Sequence, residues 1–415
     1  MRLTSVLFLS DVFLTLHLCR TYLLFMKKLS FNFVKTILGI NNVFTRHIST
    51  KSLKIDKVLV VSKLSRYEYE KRKYKDENVT KFLDDLKRRG ADIEKLVYHY
   101  DLHKKYEERI VKTLKSRGLD VKVVDRYNYT EEDVNNCDVI IPIGGDGTFL
   151  LAASLVNNNQ KPVIGFNSDP NRSEGYLCLP KKYSTNIHAA VDKLQAGSFT
   201  WLLRNRIRTT MLTSDECLNP TFLHDSELGL NTVKLSEGDK RLPFLALNEV
   251  FIGETLSARV SHLRMRLNGS TENTNLKCSG ICVSTGTGST SWHLSINRQP
   301  VQNVAELLRL VDIDPTEGKD SLATVLADIY NKNLIFPPDD KKMAYTIREL
   351  ISAAVWPDPK GIKNRGFAYK LELRSNCYDA ALVMDGGISF PFNDGATALL
   401  EIKPEDALRT VIFKD

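Results

Sequence analysis

The 415-residue chain contains no Gly-x-x-x-x-Gly-Lys-Ser/Thr loop and no Cys-x-x-Cys pair. The first absence excludes a Walker A phosphate loop. The second, with an odd total of seven scattered cysteines, argues against a disulfide framework and a structural zinc site. Most of the chain also lacks a charge imbalance. Residues 1–55 hold eight basic residues against one acid, Asp11, so only +1 of the formal net charge of +8 belongs to the rest. A body this close to neutral carries no electrostatic footprint for nucleic acid. Past residue 55 no apolar run is long enough to cross a bilayer, so neither nucleic acid nor membrane is expected as a partner. His99 and His103 stand four apart and could share a helix face as metal ligands. No third ligand lies near them in sequence, and a solvated surface pair is the expectation.

Acidic residues are missing altogether from Val12 to Ile55, where Arg, Lys, Ser, Thr and Phe are plentiful. That composition resembles an organelle transit peptide and predicts residues 1–50 as a leader for the mitochondrial matrix. Met26 could also start translation. A competing reading takes Val6–Leu18 as a secretory apolar segment or weak anchor, but Asp11 and His17 interrupt it and it is short for a spanning helix.

What the chain does have is strand-like runs alternating with helical ones. Lys57–Ser62, Val121–Val124, Val139–Ile143 and Lys161–Phe166 read as strands. A charged helical region spans about Arg66–Arg117, with a break at Gly90-Ala91-Asp92, and another helix is expected around Ile187–Gln195. Such alternation predicts an α/β N-terminal domain, residues 55–198, built on a parallel sheet. From Thr200 the texture turns to β alternation, so a mainly β C-terminal domain is placed at 199–375, with a helical insertion near 300–355. Residues 376–415 supply C-terminal strands that could return to the N-terminal domain, and Asp225–Lys240 reads as a mobile polar loop.

Three stretches carry chemistry. The apolar run at Val139 ends in Gly144-Gly145-Asp146-Gly147-Thr148, and a helix follows, with Thr148 as a candidate cap. A strand, a glycine turn and a helix start present bare N–H groups to an anion. An acid in that turn would repel phosphate, so Asp146 makes sense as a proton acceptor or facing a metal ion. The alternative is an Asp that merely caps the helix. Asn167, at the end of the next strand, would face the same crevice, since ligands gather beyond the carboxyl ends of such strands.

The second stretch is Asn248-Glu249 amid apolar strand residues. Together they could bind the vicinal hydroxyls of a ribose. Neighbours on a strand point to opposite faces, so a strand end or bulge would be needed to aim both at one ligand. The third stretch is Ser284-Thr285-Gly286-Thr287-Gly288-Ser289-Thr290-Ser291-Trp292. Its N–H groups and hydroxyls could donate to phosphate, and Trp292 could pack against a base.

In kind, order and spacing these three motifs resemble the NAD kinase family, and the likeness covers most of residues 55–415. Ser62-Lys63-Leu64-Ser65-Arg66-Tyr67-Glu68 and Ile296-Asn297-Arg298 resemble its mitochondrial branch. The resemblance implies ATP-dependent phosphorylation of the 2′-hydroxyl of NAD⁺ to NADP⁺, with Mg²⁺ accompanying ATP, in a homodimer. It implies Asp146 as the proton acceptor and a phosphate cradle of Gly144, Gly145, Gly147 and Thr148. Asn248 and Glu249 would hold the nicotinamide-side ribose. Thr287, Gly288, Ser289, Thr290, Ser291 and Trp292 would line the phosphate and adenine region.

The chain departs from the family pattern at Ser168–Tyr176, at Ser279 where an Asp is common, at His293, and at Asn297-Arg298-Gln299-Pro300. A lipid or sugar kinase with the same glycine–Asp turn, and a non-catalytic dinucleotide-binding protein, are the alternative readings.

Overall fold

The computed structural model describes residues 54–413, apart from 75–78, 214–216, 219, 224–232, 235–239, 314–320 and 352–362. The expected leader lies outside the described residues. So does most of the expected 225–240 loop, within which the short strand Val233–Lys234 pairs with Cys217–Leu218.

Nine elements build the first part: β1 (Lys57–Ser62), α1 (Arg66–Lys73), α2 (Val79–Arg88), α3 (Ile93–Ser116), β2 (Asp120–Val124), α4 (Glu131–Asn135), β3 (Val139–Gly144), α5 (Asp146–Ser154) and β4 (Phe166–Asn167). Local chemistry sets their ends. Ser65 and Glu68 close a capping box at the start of α1, and Asp92 caps α3 by accepting from the Lys95 N–H at 3.1 Å. Gly90, at φ +81°, supplies the left-handed residue that separates α2 from α3.

The strands form a parallel sheet in the order β2-β1-β3-β4. Alternation sends Val58 and Val60 to one face, against Ile110 and Leu114 of α3. Leu59 and Val61 go to the other, against Phe149 and Ala152 of α5. Burying a side chain the size of Phe149 contributes roughly 1.5–3 kcal/mol. The expected fourth strand is shorter than Lys161–Phe166. Only Phe166–Asn167 forms a strand proper, because Pro162, Val163 and Gly165 make isolated bridges to Arg409, Ile140 and Cys178 respectively.

The remainder is a sandwich of two antiparallel sheets around one core. Six strands, including Ile207–Thr213, Ser261–Leu267 and Thr397–Ile402, face seven that include Glu249–Glu254, Ile281–Ser284 and Ala380–Met384. Met211, Met265 and Leu373 from the first meet Val250, Val283 and Leu382 from the second. The helical insertion is narrower than 300–355: helices run over Val301–Leu310 and Leu322–Lys332, whereas Met343–Ile347 is a fully buried strand between Arg365–Ala368 and Ile281–Ser284.

The last strand, Leu408–Phe413, leaves the sandwich and pairs with Phe199–Arg204. It abuts the parallel sheet, where Val163 donates its N–H to Arg409 O at 2.9 Å. Leu247 and Leu408 share a cluster with α5, so the sandwich and the parallel sheet pack on common side chains.

Candidate active site

The glycine turn closes β3 and opens α5. Its helix begins at Asp146 itself, with Gly145 as the N-cap and no side-chain cap. Thr148 therefore lies in the first turn and caps nothing, correcting the sequence reading. A Cβ on Gly144 would come within 2.3 Å of Thr148 Oγ1. This glycine is demanded by close packing beneath the turn. Gly145, Asp146, Gly147 and Thr148 line a cavity of about 630 Å³ together with Asn167, whereas Gly144 does not line it.

Asp146 is held on both oxygens. Its Oδ2 accepts from the Tyr176 N–H at 3.1 Å and Oδ1 from the Leu177 N–H at 2.9 Å. The first donor ends, and the second directly follows, Ser168–Tyr176, the stretch in which the sequence departs from the family pattern. Asn167 anchors the same stretch: its Nδ2 donates to Ser173 O and its Oδ1 accepts from the Asp169 N–H, both at 3.0 Å. Gly175 has φ +64° and leaves room for that amide, since a Cβ there would meet Asn167 Nδ2 at 2.5 Å.

Asn248 and Glu249 stand at the strand start that the sequence reading required, Glu249 being the first residue of Glu249–Glu254. Asp385, which sequence reasoning missed, organises them. Its carboxylate accepts the N–H groups of Leu247, Asn248 and Glu249 at 2.7, 2.7 and 3.0 Å. Asp385 itself sits at φ +48°. The turn dipeptide Asp385-Gly386 between apolar runs was the available sequence signal. Asn248 Oδ1 and Glu249 Oε2 are buried and have no hydrogen-bond partner. Orphaned acceptors of this kind are costly, roughly 1–3 kcal/mol each, unless something donates to them. Burial, with the Asp385 charge second, pushes the Glu249 carboxyl up to about 8, and burial pushes Asp385 up to about 6.

The Ser284–Trp292 loop is bound to the Asn248 backbone. Thr285 N–H donates to Asn248 O at 2.9 Å and Thr285 Oγ1 to Leu247 O at 2.6 Å. Gly288 packs so tightly there that a Cβ would lie 2.2 Å from Asn248 O. Ser289 is fully buried and its hydroxyl donates to Gly286 O at 2.6 Å, so it locks the loop and is turned away from any ligand. Thr290 likewise donates back to Thr287 O at 3.3 Å. Trp292 and Ser291 are half-buried, and the indole lies 4.7 Å from the Phe251 ring with Arg348 at 5.7 Å. His293 is buried and its imidazole is held near 4 by that burial.

Arg204 connects the two loops. Its Nη1 donates to Thr287 Oγ1 at 3.4 Å, its Nε is buried without a partner, and its guanidinium interacts electrostatically with Asp146. Burial lowers that guanidinium to about 10. The expected surface pair on α3 is not one: His103 is buried against Ser62 Oγ at 3.0 Å, while His99 reaches Asp169 at 3.3 Å.

Comparison with known proteins follows the same outline. The family model described as the ATP-NAD kinase N-terminal domain matches residues 60–176. The chain is 37% identical to NAD kinase 2, mitochondrial, of Xenopus tropicalis, covering 91% of this chain and 95% of that protein. It is 38% identical to the Homo sapiens protein of the same name, covering 86% and 84%. Among solved structures, yeast NADH kinase complexed with NADH has the same fold, with a TM-score of 0.53 at 13% identity over 87% of this chain and 84% of that one.

Proposed function

The chain belongs to the NAD kinase family, in the company of the mitochondrial NAD kinase 2 proteins, and from that premise we propose how its residues carry out the reaction. The protein is a mitochondrial NAD kinase that uses ATP to phosphorylate NAD⁺ to NADP⁺. In our reading the acceptor is the 2′-hydroxyl of the adenosine ribose and the compartment is the matrix.

Asp146 accepts the proton of the attacking hydroxyl. The observation that carries this assignment is its carboxylate lining the same cavity as the exposed glycine turn, fixed in direction by two amide donors. A base so fixed needs no reorganisation as the proton moves. Gly145, Gly147 and Thr148 face the phosphates with the first N–H groups of α5. Asn248 and Glu249 take the nicotinamide-side ribose: their orphaned oxygens are acceptors waiting for hydroxyl donors. Thr287, Gly288, Thr290, Ser291 and Trp292 flank the nucleotide, and Ser289 supports the loop from within. Arg204 spans the Asp146 and Thr287 loops, where a cation steadies negative charge developing between them.

Mg²⁺ is part of the proposal. Among the described residues no three metal-ligating side chains gather. That suits an ion held mainly by phosphates and waters with one or two carboxylates, and Asp146 and Asp169 line the cavity. When bound it would neutralise the phosphates. We also propose a homodimer, supported by the apolar surface of the Val301–Leu310 helix, where Leu307 and Leu310 are 62% and 80% exposed.

The test is incubation with ATP, Mg²⁺ and NAD⁺ followed by chromatography for NADP⁺. Asp146→Asn should fold normally and lose roughly 10²–10⁴-fold in turnover, the contribution of a general base. Near-normal turnover by that variant would remove the assigned role.

A further inference from the structure

We infer that a second cavity, walled by the segment that holds Asp146, receives a medium-chain acyl carboxylate and that its occupancy slows the kinase. The binding site stands independently of the kinase reading above; the effect on turnover rests on it.

This cavity, of about 320 Å³, shares no lining residue with the one that contains the glycine turn. One wall is the strand pair Phe199–Arg204 and Leu408–Phe413, whose register sets Leu202 opposite Thr410. Alternation puts Leu202 and Arg204 of one strand on the same face as Thr410 and Ile412 of the other. Leu177, Cys178, Leu179 and Pro180 supply another wall. The lining is mostly apolar and includes two cations, Arg204 and Lys182, but no carboxylate. Apolar walls with cations and no acid fit an amphipathic anion. A volume near the lower end for ligand pockets suits a chain of about eight carbons better than a nucleotide.

Arg204 supplies the charge. It is half-buried, and its Nε is buried without a partner. Its hydrogen bond to Thr287 Oγ1 is long, at 3.4 Å, and it forms no ion pair among the described residues. Asp146, whose charge it feels, already has each carboxylate oxygen on a backbone N–H. Taking a guanidinium out of water without a hydrogen-bonded carboxylate is costly, and an incoming carboxylate offsets that cost with a two-pronged contact.

Leu177 connects this cavity to the catalytic turn. Its N–H donates to Asp146 Oδ1 at 2.9 Å while the residue lines the second cavity. Cys178 lines it too, and its Sγ donates to Gly144 O at 3.9 Å. An acyl chain seated between this wall and the strand pair bears on the residues that fix the base. Its carboxylate also draws Arg204 away from Thr287. Both changes take support from the charge that develops during transfer, so the ligand inhibits.

The experiment uses the full chain. Calorimetry with hexanoate, heptanoate and octanoate should show affinity rising about fourfold per added carbon, the effect of burying one methylene. Octylamine should not bind. Ile412→Glu, at a position 46% exposed, should weaken octanoate about tenfold by setting a like charge at the cavity. Ile412→Gln should bind it as the wild-type protein does. Arg204→Gln should weaken octanoate about tenfold, the size of a charge-assisted hydrogen bond, and leave octanol affinity within about twofold. In steady-state assays octanoate should lower kcat of the wild-type protein and spare Ile412→Glu, whose turnover without octanoate stays within about twofold of wild type. Should Arg204→Gln fail to fold, the two Ile412 variants carry the test.

Equal binding of octanoate and octylamine, or octanoate affinity untouched by these variants, overturns the inference; NADP⁺ formation then leaves the kinase reading standing. Octanoate binding with no fall in kcat overturns the link to Asp146. If the wild-type protein makes no NADP⁺ at all, the kinase reading falls, and the chain-length series with the variants still decides what the cavity holds.

Discussion

Glu249 shows most directly how single residues are poised for a ligand. A buried carboxyl with an ordinary value near 4.5 raised to about 8 stays protonated in the folded protein while the unfolded chain releases the proton. Folding stability tied to this group is therefore full below about pH 4.5 and is lost as pH rises to about 8. Asp385, raised to about 6, contributes in the same sense over a lower range. The buried imidazoles His103 and His293, both lowered to about 4, act oppositely, and their effect is complete above about 6.5. Between about pH 6.5 and 8 Glu249 dominates. The melting temperature of the ligand-free protein should fall across that window, and Glu249→Gln should flatten the fall while weakening NAD⁺ binding. A variant melting curve with the wild-type slope would mean that Glu249 is ionised throughout. The motif was legible at this position, but the protonation state was not, because it depends first on burial and then on Asp385, far away in sequence and adjacent in space.

Among the elements, the Ser284–Trp292 loop repays the closest comparison with its sequence. Its Gly/Ser/Thr composition predicts a set of phosphate donors. In the fold, Thr285 and Ser289 turn inward to bind backbone carbonyls, and two glycines permit close approach. At Gly286 a Cβ would lie 1.7 Å from Pro337 O, and at Gly288 2.2 Å from Asn248 O. The loop's first task is thus to hold Asn248 in place. Gly288→Ala should push the loop off the Asn248 carbonyl, destabilising the protein by about 1–3 kcal/mol, the usual range for overpacking. Thermal melts together with KM for NAD⁺ check it: stability and ribose affinity should fall together, and unchanged values would detach the loop from the Asn-Glu pair. A comparable long-range tie secures α5. The fully buried Arg206 donates to Ala153 O at the helix's carboxyl end and to Asp406 O near the last strand. Within Arg204-Asn205-Arg206-Ile207-Arg208 nothing singled this arginine out in sequence, since its acceptors are carbonyls remote along the chain.

For the whole molecule, the parallel sheet and the β-sandwich share the side chains of Leu247 and Leu408, and the chain's last strand lies against the sheet formed by its first. The helical insertion stands apart from that shared core. On its first helix Leu308 is buried, but Leu307, Leu310 and the following Val311 are exposed, at 62%, 80% and 63%. Contiguous apolar surface of this kind marks association sites in soluble proteins. In the homodimer we propose, Leu307→Glu with Leu310→Glu should leave the fold intact and shift the protein from dimer to monomer in sedimentation. A dimer that survives both charges would place the interface elsewhere, with the β-sandwich as the next candidate.

By itself the sequence determined the elements and the chemistry that travel in short stretches: β-branched runs for the parallel strands, the glycine–Asp turn, and the Asn-Glu and Gly-Thr-Gly motifs. These depend on neighbours a few residues apart, so local pattern suffices. Tertiary structure alone decided that Met343–Ile347 is a central buried strand and that Asp385 sets the direction of Asn248 and Glu249. It also turned Ser289 inward and joined Arg204 to both loops. Each of those outcomes depends on which groups meet after the chain has closed on itself, when burial and unpaired charge assign roles that residue type leaves open.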